Sequence, residues 1–230
     1  MTHTPLELVR SILDAGRYDT DKTASVPTLM KPLVTVSRYY GAAGSNISRQ
    51  LAERLGVHLY DKDLLNAIVN QTKEDKQLLS SLDERVSTLV DDILHSFFSK
   101  KSITSEAYFR YMAKVILGIA PIGGVIVGRA AHLLLPRKTT FRVRLEGSLE
   151  TCAKRIAKQK DIKYDKAERL VEESNRDRDK FEHQVAKRFP RAVQGFDLIL
   201  NTDRFTPEQA VEVILVAMRE AGFQVPQPQA

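Results

Sequence analysis

The chain has 230 residues, 43% of them hydrophobic and 28% charged, with a net charge of +6 and a pI of about 9.4. That length suits one α/β domain with room for an insertion, and no apolar run approaches the roughly 20 residues that span a bilayer. The first residues, MTHTPLELVRSILDAG, lack the apolar core of a secretory signal, and the single cysteine, Cys152, excludes an internal disulfide framework and suits the cytosol. The positive balance favours anionic partners, which a nucleotide and a nucleic-acid backbone both satisfy.

Residues 1–31 read as an N-terminal extension. Pro5–Ala15 is predicted to form a short helix with Leu6, Val9, Ile12 and Leu13 on one face, and 16–30 is polar and turn-prone. Leu33–Ser37 is the first clear strand, a β-branched run. A small-residue loop follows, then a helix with Ile47, Leu51, Ala52 and Leu55 on one stripe and Gly56 as its C-cap. Val57–Tyr60 is expected as a second strand, Asp61–Asn70 as a helix, and 73–118 as helical throughout. Further strands are expected at Gly124–Val127, Phe141–Leu145 and Asp197–Leu200. Helices separate them, and a last helix is expected at Thr206–Ala221. Thr206 is its expected N-cap and Pro207 its first residue. The end of the chain, GFQVPQPQA, is expected to fray.

Strands separated by helices imply a parallel sheet covered on both faces. Ligands bind such sheets beyond the carboxyl ends of the strands. That rule places 37–45, 60–63 and 128–131 along one edge. The stretch Gly41-Ala42-Ala43-Gly44-Ser45-Asn46 lies between a strand and a helix, where a phosphate-binding loop belongs. It lacks the lysine of G-x-x-x-x-G-K-[ST]. Gly41 and Gly44 still let backbone amides approach a phosphate at the positive end of the helix. The plainer reading is a tight strand-to-helix turn. Cys152 falls in a helical pattern and reads as packing. The histidines at 3, 58, 95, 132 and 183 show no metal-ligand spacing, and no Ser-His-Asp set or Cys-His pair is suggested.

Five segments together give the chain a family likeness. They are VTVSRYYGAAGSNISRQLAERLG, VHLYDKDLL, GGVIVGRAAHLLLP, RLVEESNRDRDKFEHQVAKRF and FDLILNTDRFTPEQAVEVI. In order and spacing they resemble the cytidylate kinase-like family of P-loop nucleoside monophosphate kinases, from about Leu33 to Ala221. The resemblance implies an α/β P-loop kinase fold. Its parts would be a five-stranded parallel sheet, a helical monophosphate-binding insertion at about 62–118 and a basic lid at about 158–190, within a domain of 32–222, and 223–230 would be a tail.

The resemblance also implies roles. Gly41, Ala42, Ala43, Gly44, Ser45 and Asn46 would cradle the phosphates of ATP. Gly44 stands where the lysine would be, and Asn46 where a Mg²⁺-binding threonine would be. This branch of the family has no lysine there, although an arginine often follows the last glycine. Here that position is Ser45, whose hydroxyl is the candidate for phosphate or Mg²⁺. Arg38, at the start of the loop, is the candidate for the missing charge.

Asp61 and Lys62 would contact the acceptor nucleotide, though Asp61 also reads as a plain helix cap. Arg129, in Gly128-Arg129, resembles the arginine that holds the acceptor phosphate, with Arg110 as a second candidate. Ala130 stands where cytidylate kinases have aspartate. Arg176 and Arg178 are the lid candidates that would close over the transferred group, with Lys180 and Arg169 behind them. The alternative for this stretch is an exposed helix laced with ion pairs.

The implied activity is ATP-dependent phosphorylation of a nucleoside monophosphate, CMP or dCMP, with ATP and Mg²⁺ in the cytoplasm. The other reading is a nucleotide-binding regulatory protein that kept the fold and lost the chemistry. Binding of nucleic acid is disfavoured, because the basic charge is interleaved with acidic residues and no stacking aromatic set appears. The apolar stripe at 78–94 reads as a helix hairpin within the insertion or as a homodimer face.

Overall fold

The computed structural model of the protein describes residues 31–74, 105–188 and 195–226. The elements are β1 (Leu33–Arg38), α1 (Gly44–Leu55), β2 (Leu59–Tyr60), α2 (Lys62–Glu74), α3 (Ser105–Ile119), a 3-10 turn (Ala120–Ile122), β3 (Gly124–Val127) and α4 (Ala131–Leu134). They continue with β4 (Phe141–Glu146), α5 (Leu149–Lys160), α6 (Tyr164–Arg188), β5 (Leu198–Asn201) and α7 (Pro207–Glu220). The expected helix at 5–15, the apolar stripe at 78–94 with its dimer reading, and the last residues of the tail lie outside the described residues.

The strands form one five-stranded sheet in the order β2-β3-β1-β4-β5. β1 is central and pairs parallel with β3 and with β4, and β4 pairs parallel with β5. Leu33, Val34, Thr35 and Val36 of β1 and all four residues of β3 are buried. A parallel sheet with both faces covered demands such unbroken apolar runs, where a half-exposed strand would alternate. α1 buries Ile47, Leu51, Ala52 and Leu55. α5 contributes Cys152, Ala153 and Ile156, and α7 contributes Ala210, Val211, Ile214, Leu215 and Met218 to the same core. Cys152 is free and fully buried, and burial pushes its thiol up from its ordinary range, which fits a packing role.

Two compact units share the described residues, one holding 60–123 and the other 32–59 with 124–226. In the first, α2 and α3 pack together, and the Tyr108 hydroxyl donates to Asn66 Oδ1 at 3.1 Å. The second unit holds the loop between β1 and α1 and the long helix α6.

Boundaries moved where caps compete with strands. The strand expected at Val57–Tyr60 is only Leu59–Tyr60. Gly56 is left-handed, at φ +64°, and the Gly56 and Val57 N–H groups close the end of α1 on the Glu53 and Ala52 carbonyls. Val57 is therefore spent on the helix cap. β5 begins at Leu198 rather than Asp197; the Asp197 N–H donates to the Arg142 carbonyl at 2.8 Å, and its carboxylate accepts from the Arg142 N–H at 2.9 Å and from Arg137 Nε at 3.1 Å. The C-terminal segment, expected to fray from Gly222, is held at its start. The Phe223 N–H donates to the Met218 carbonyl at 2.9 Å, and its ring meets Phe141 edge-on at 5.5 Å.

α7 starts as its sequence foretells. Thr206 accepts from the Gln209 N–H and Gln209 returns a bond to the Thr206 N–H, a complete capping box with Pro207 in the first turn. Replacing Thr206 with alanine removes that cap and should cost about 1 kcal/mol of stability. Urea denaturation should show a lower midpoint at an unchanged slope.

Candidate functional site

The loop between β1 and α1 is shaped by close backbone approach. Gly41 has φ +87°, and a Cβ there would lie 2.6 Å from the Cys152 carbonyl oxygen and 2.8 Å from its Cα. The loop thus lies flush on the backbone of α5, and only glycine fits. Arg155, one turn along α5, fixes the same point. Its Nη1 donates to the Gly41 carbonyl at 3.3 Å and to Thr202 Oγ1 at 3.1 Å, and its Nη2 donates to the Thr202 carbonyl at 2.6 Å. The loop is thereby tied to the end of β5. Ala43 is left-handed, at φ +55°, and no side chain caps α1 behind it. The N–H groups of Gly44 and Ser45 are therefore the open donors at the positive end of the helix, the form of a phosphate cradle.

Gly44 occupies the position at which the loop's lysine was missed. A Cβ on residue 44 would lie 2.6 Å from Arg38 Cγ and 2.8 Å from Arg38 Cβ. The stem of Arg38 already fills the space that any side chain at 44 would need. The guanidinium runs on to Gly128, where an added Cβ would lie 2.1 Å from Arg38 Nη1. Gly128, at φ +76°, precedes Arg129 and Ala130, which are also left-handed at φ +56° and +52°. Strain of this kind in two non-glycine residues is characteristic of functional sites. Arg129 lies over the Phe181 ring, with Cζ 5.7 Å from its centroid. β1 and β3 are neighbours in the sheet, so Arg38, Gly128 and Arg129 meet at their carboxyl ends.

α6 crosses this edge. Asn175 Oδ1 accepts from the Tyr40 N–H at 2.7 Å. Arg178 Nη1 donates to the Arg38 carbonyl at 2.8 Å and lies over the Tyr40 ring, 5.5 Å from its centroid. Burial pulls the Arg178 guanidinium below its ordinary range. Arg176, in contrast, is exposed, as are Arg169 and Lys180. Lys180 pairs with Asp177 at 3.8 Å. The two lid candidates are thus separated: Arg178 is docked on the loop and Arg176 faces solvent. α6 also buries Ala167, Val171 and Val185, so it is packed on one face and exposed on the other.

The remaining candidates sit as follows. Ser45 is exposed in the first turn of α1. Asn46 Oδ1 accepts from Arg49 Nη2 and from Gln50 Nε2, each at 3.1 Å, which turns its oxygen along the helix. In the other unit, Asp61 Oδ1 accepts from the Asp63 and Leu64 N–H groups at 3.1 and 2.9 Å, a cap on α2. Lys62 is exposed beside it, and Arg110 is half-buried on α3.

Sequence reasoning missed several residues here. Asn175 and Glu182 lie at helical spacing around Arg178, a signal open to inspection. Arg155 and His132 gave no such signal, because their partners are remote in sequence. His132 is buried and engages Ser37 and Glu182. Burial alone would push the Glu182 carboxyl up. The hydrogen bond from His132 and the Arg144 guanidinium outweigh it and hold Glu182 below its ordinary range.

A family model described as the cytidylate kinase-like family matches residues 33–204. The chain belongs to the cytidylate kinase-like family. A curated cytidylate kinase from Methanopyrus kandleri is similar, at 22% identity over 187 residues, covering 81% of this chain and 92% of that protein. Among solved structures, an uncharacterized protein from Eubacterium ventriosum shares the fold with a TM-score of 0.59 at 14% identity, covering 82% of this chain and 98% of that one. A shikimate kinase from Bacteroides thetaiotaomicron gives a TM-score of 0.48 at 13% identity, covering 82% and 98% of the two chains. Family membership and the five-stranded parallel sheet bear out the P-loop kinase fold, and the family supports a nucleotide kinase function. Among the described residues no helix is long and apolar enough to cross a membrane.

The packing at residue 44 is testable without substrate. Gly44→Ala should destabilise the protein by about 1–3 kcal/mol through overpacking. In an Arg38→Gly background the same change should cost at least about 1 kcal/mol less, since contacting residues couple. Equal costs in both backgrounds would mean that Arg38 does not fill the space.

Proposed function

We propose that the protein transfers the γ-phosphoryl group of ATP to a nucleoside monophosphate in the cytosol, with CMP or dCMP as the acceptors the family suggests. The observation that carries this reading is the stem of Arg38 in the volume beside Gly44. The loop lacks a lysine because an arginine from the end of β1 replaces it, so the cation is moved rather than lost.

The loop residues 41–46 hold the phosphates of ATP through backbone amides. Arg38 supplies fixed positive charge at the same place. Phosphoryl transfer is catalysed mostly by positioning and electrostatic stabilisation, so such a charge is worth most where it is preorganised. Arg38 is held at its stem by Gly44, at its carbonyl by Arg178 and at its tip by Gly128. Arg129, strained and set one residue beyond Gly128, grips the acceptor phosphate, a task suited to a planar guanidinium. Arg178 and Arg176 belong to the lid, the first closing the loop and the second approaching from solvent. Asp61, Lys62 and Arg110 serve the acceptor nucleotide from the insertion.

The donor set fits Mg²⁺ only as a guest of the nucleotide. Among the described residues no group of three or more His, Cys, Asp or Glu forms a metal cage. Mg²⁺ in kinase sites keeps waters and takes few protein ligands besides phosphate oxygens. Ser45, exposed in the first turn, is the protein oxygen that would hold it. When bound, the ion neutralises charge on the β- and γ-phosphates.

The orientation of Asn46, with its oxygen committed to Arg49 and Gln50, favours the second reading, a binding protein with impaired turnover. A coupled assay with ATP–Mg²⁺ and CMP, dCMP, UMP, AMP and GMP separates the two. Turnover is expected with a cytidine acceptor, and Arg38→Ala should lower kcat about 10²–10³-fold, the loss of one preorganised donor, with its circular dichroism unchanged. Folded protein that binds ATP but turns over none of the five acceptors would leave only the second reading.

A further inference from the structure

His132 stands on α4, immediately after the strained Gly128–Ala130 turn, and it is 2% exposed. Both of its ring nitrogens are engaged. Nδ1 lies 3.3 Å from Ser37 Oγ at the end of β1, and Nε2 lies 3.1 Å from Glu182 Oε1 on α6. The Phe196 ring covers the imidazole, with centroids 4.6 Å apart. Glu182 also pairs with Arg144 at 3.8 Å, and Arg144 reaches Glu146 at 2.9 Å and Asp179 at 4.0 Å. A cavity of about 260 Å³ borders the relay, with Asp179, Glu182 and His183 in its wall.

We propose that His132 is a positioning residue. The chain Ser37–His132–Glu182 anchors α6 to the end of β1 and so sets the register in which Asn175 and Arg178 meet the phosphate loop.

Three observations converge on this. Asn175, Arg178, Glu182 and Val185 recur at three- and four-residue spacing, so they share one face of α6. That face carries both of these hydrogen bonds from α6 to the loop: Asn175 to the Tyr40 N–H, Arg178 to the Arg38 carbonyl. Ser37 is the residue before Arg38, so the relay grips β1 one residue from the arginine proposed to replace the lysine.

An apolar residue would fill the His132 site more cheaply, because burying a paired imidazole and carboxylate costs desolvation that their attraction barely repays. What the pair adds is register. A helix seated only on Ala167, Val171 and Val185 has smooth contacts that tolerate a slide or a rotation. A carboxylate that must meet one imidazole nitrogen does not. With Nε2 donating to Glu182, Nδ1 is left to accept from the Ser37 hydroxyl, so one tautomer satisfies all three groups.

Hydrogen exchange on the full-length protein tests this, with the Tyr40 amide as reporter, since that N–H donates to Asn175 almost two helical turns from Glu182. In His132→Ala the Tyr40 amide should exchange at least tenfold faster, while amides of α7 at 211–218 keep their protection. His132→Gln, whose amide can still donate to Glu182, should restore most of the protection. Glu182→Ala combined with His132→Ala should be no faster than the worse of the two alone. An unchanged Tyr40 amide, a loss spread equally over α7, additive effects, or no rescue by glutamine would each overturn the proposal. Should His132→Ala not fold, Ser37→Ala deletes only one hydroxyl, and it should speed Tyr40 exchange in the same selective way; no change would overturn the proposal.

A second arm rests on the kinase reading. The affinity for an ATP analogue should fall in His132→Ala and recover in His132→Gln. The exchange arm needs no nucleotide, so the relay and the kinase reading fail separately.

Discussion

The volume beside Gly44 can hold one side chain, and the stem of Arg38 holds it. That constraint orders the rest of the site. Residue 44 must be glycine because β-carbon and stem would overlap, and the guanidinium lies against Gly128, whose φ of +76° favours glycine. The helix start at Ala43–Ser45 must stay uncapped if its amides are to meet an anion. A side chain at position 44 and the arginine stem of position 38 are alternatives for one space, and this chain has the second.

The same arginine connects the loop to α6. Its carbonyl receives Arg178 while Tyr40, two residues on, receives Asn175. α6 therefore hydrogen-bonds the backbone of the loop, while Arg178 also lies over the Tyr40 ring. Arg155 does likewise from α5, through the Gly41 carbonyl and the end of β5. Two helices thus hold the loop by hydrogen bonds to its main chain. Rigidity of this kind suits a reaction in which the protein contributes placement and fixed charge rather than covalent chemistry.

Much of the fold was legible in the sequence, because its signals are local. Runs such as Leu33–Val36 and Gly124–Val127 announce buried parallel strands, and Thr206-Pro207 with Gln209 announces a capped helix. Cap competition was harder to read. Val57 has a strand former's side chain, yet its N–H serves the end of α1. The loop's place between strand and helix, with Arg38 at its start, was legible too. The reason Gly44 is glycine was not, since it depends on where a side chain six residues earlier turns. His132 and Arg155 were invisible for the same reason. A histidine in AAHLLLP and an arginine in CAKRIA look like packing and solvated charge until the sheet brings Ser37, Glu182, Gly41 and Thr202 to them.

The claim that residue 38 carries the cation of this phosphate loop is tested most directly by a crystal structure with a non-hydrolysable ATP analogue and Mg²⁺. The Arg38 guanidinium should lie within hydrogen-bond distance of a β- or γ-phosphate oxygen, with the Gly44 and Ser45 amides on the same phosphates. Phosphates bound in the loop with the Arg38 guanidinium out of their reach, and a different cation in contact with them, would contradict it.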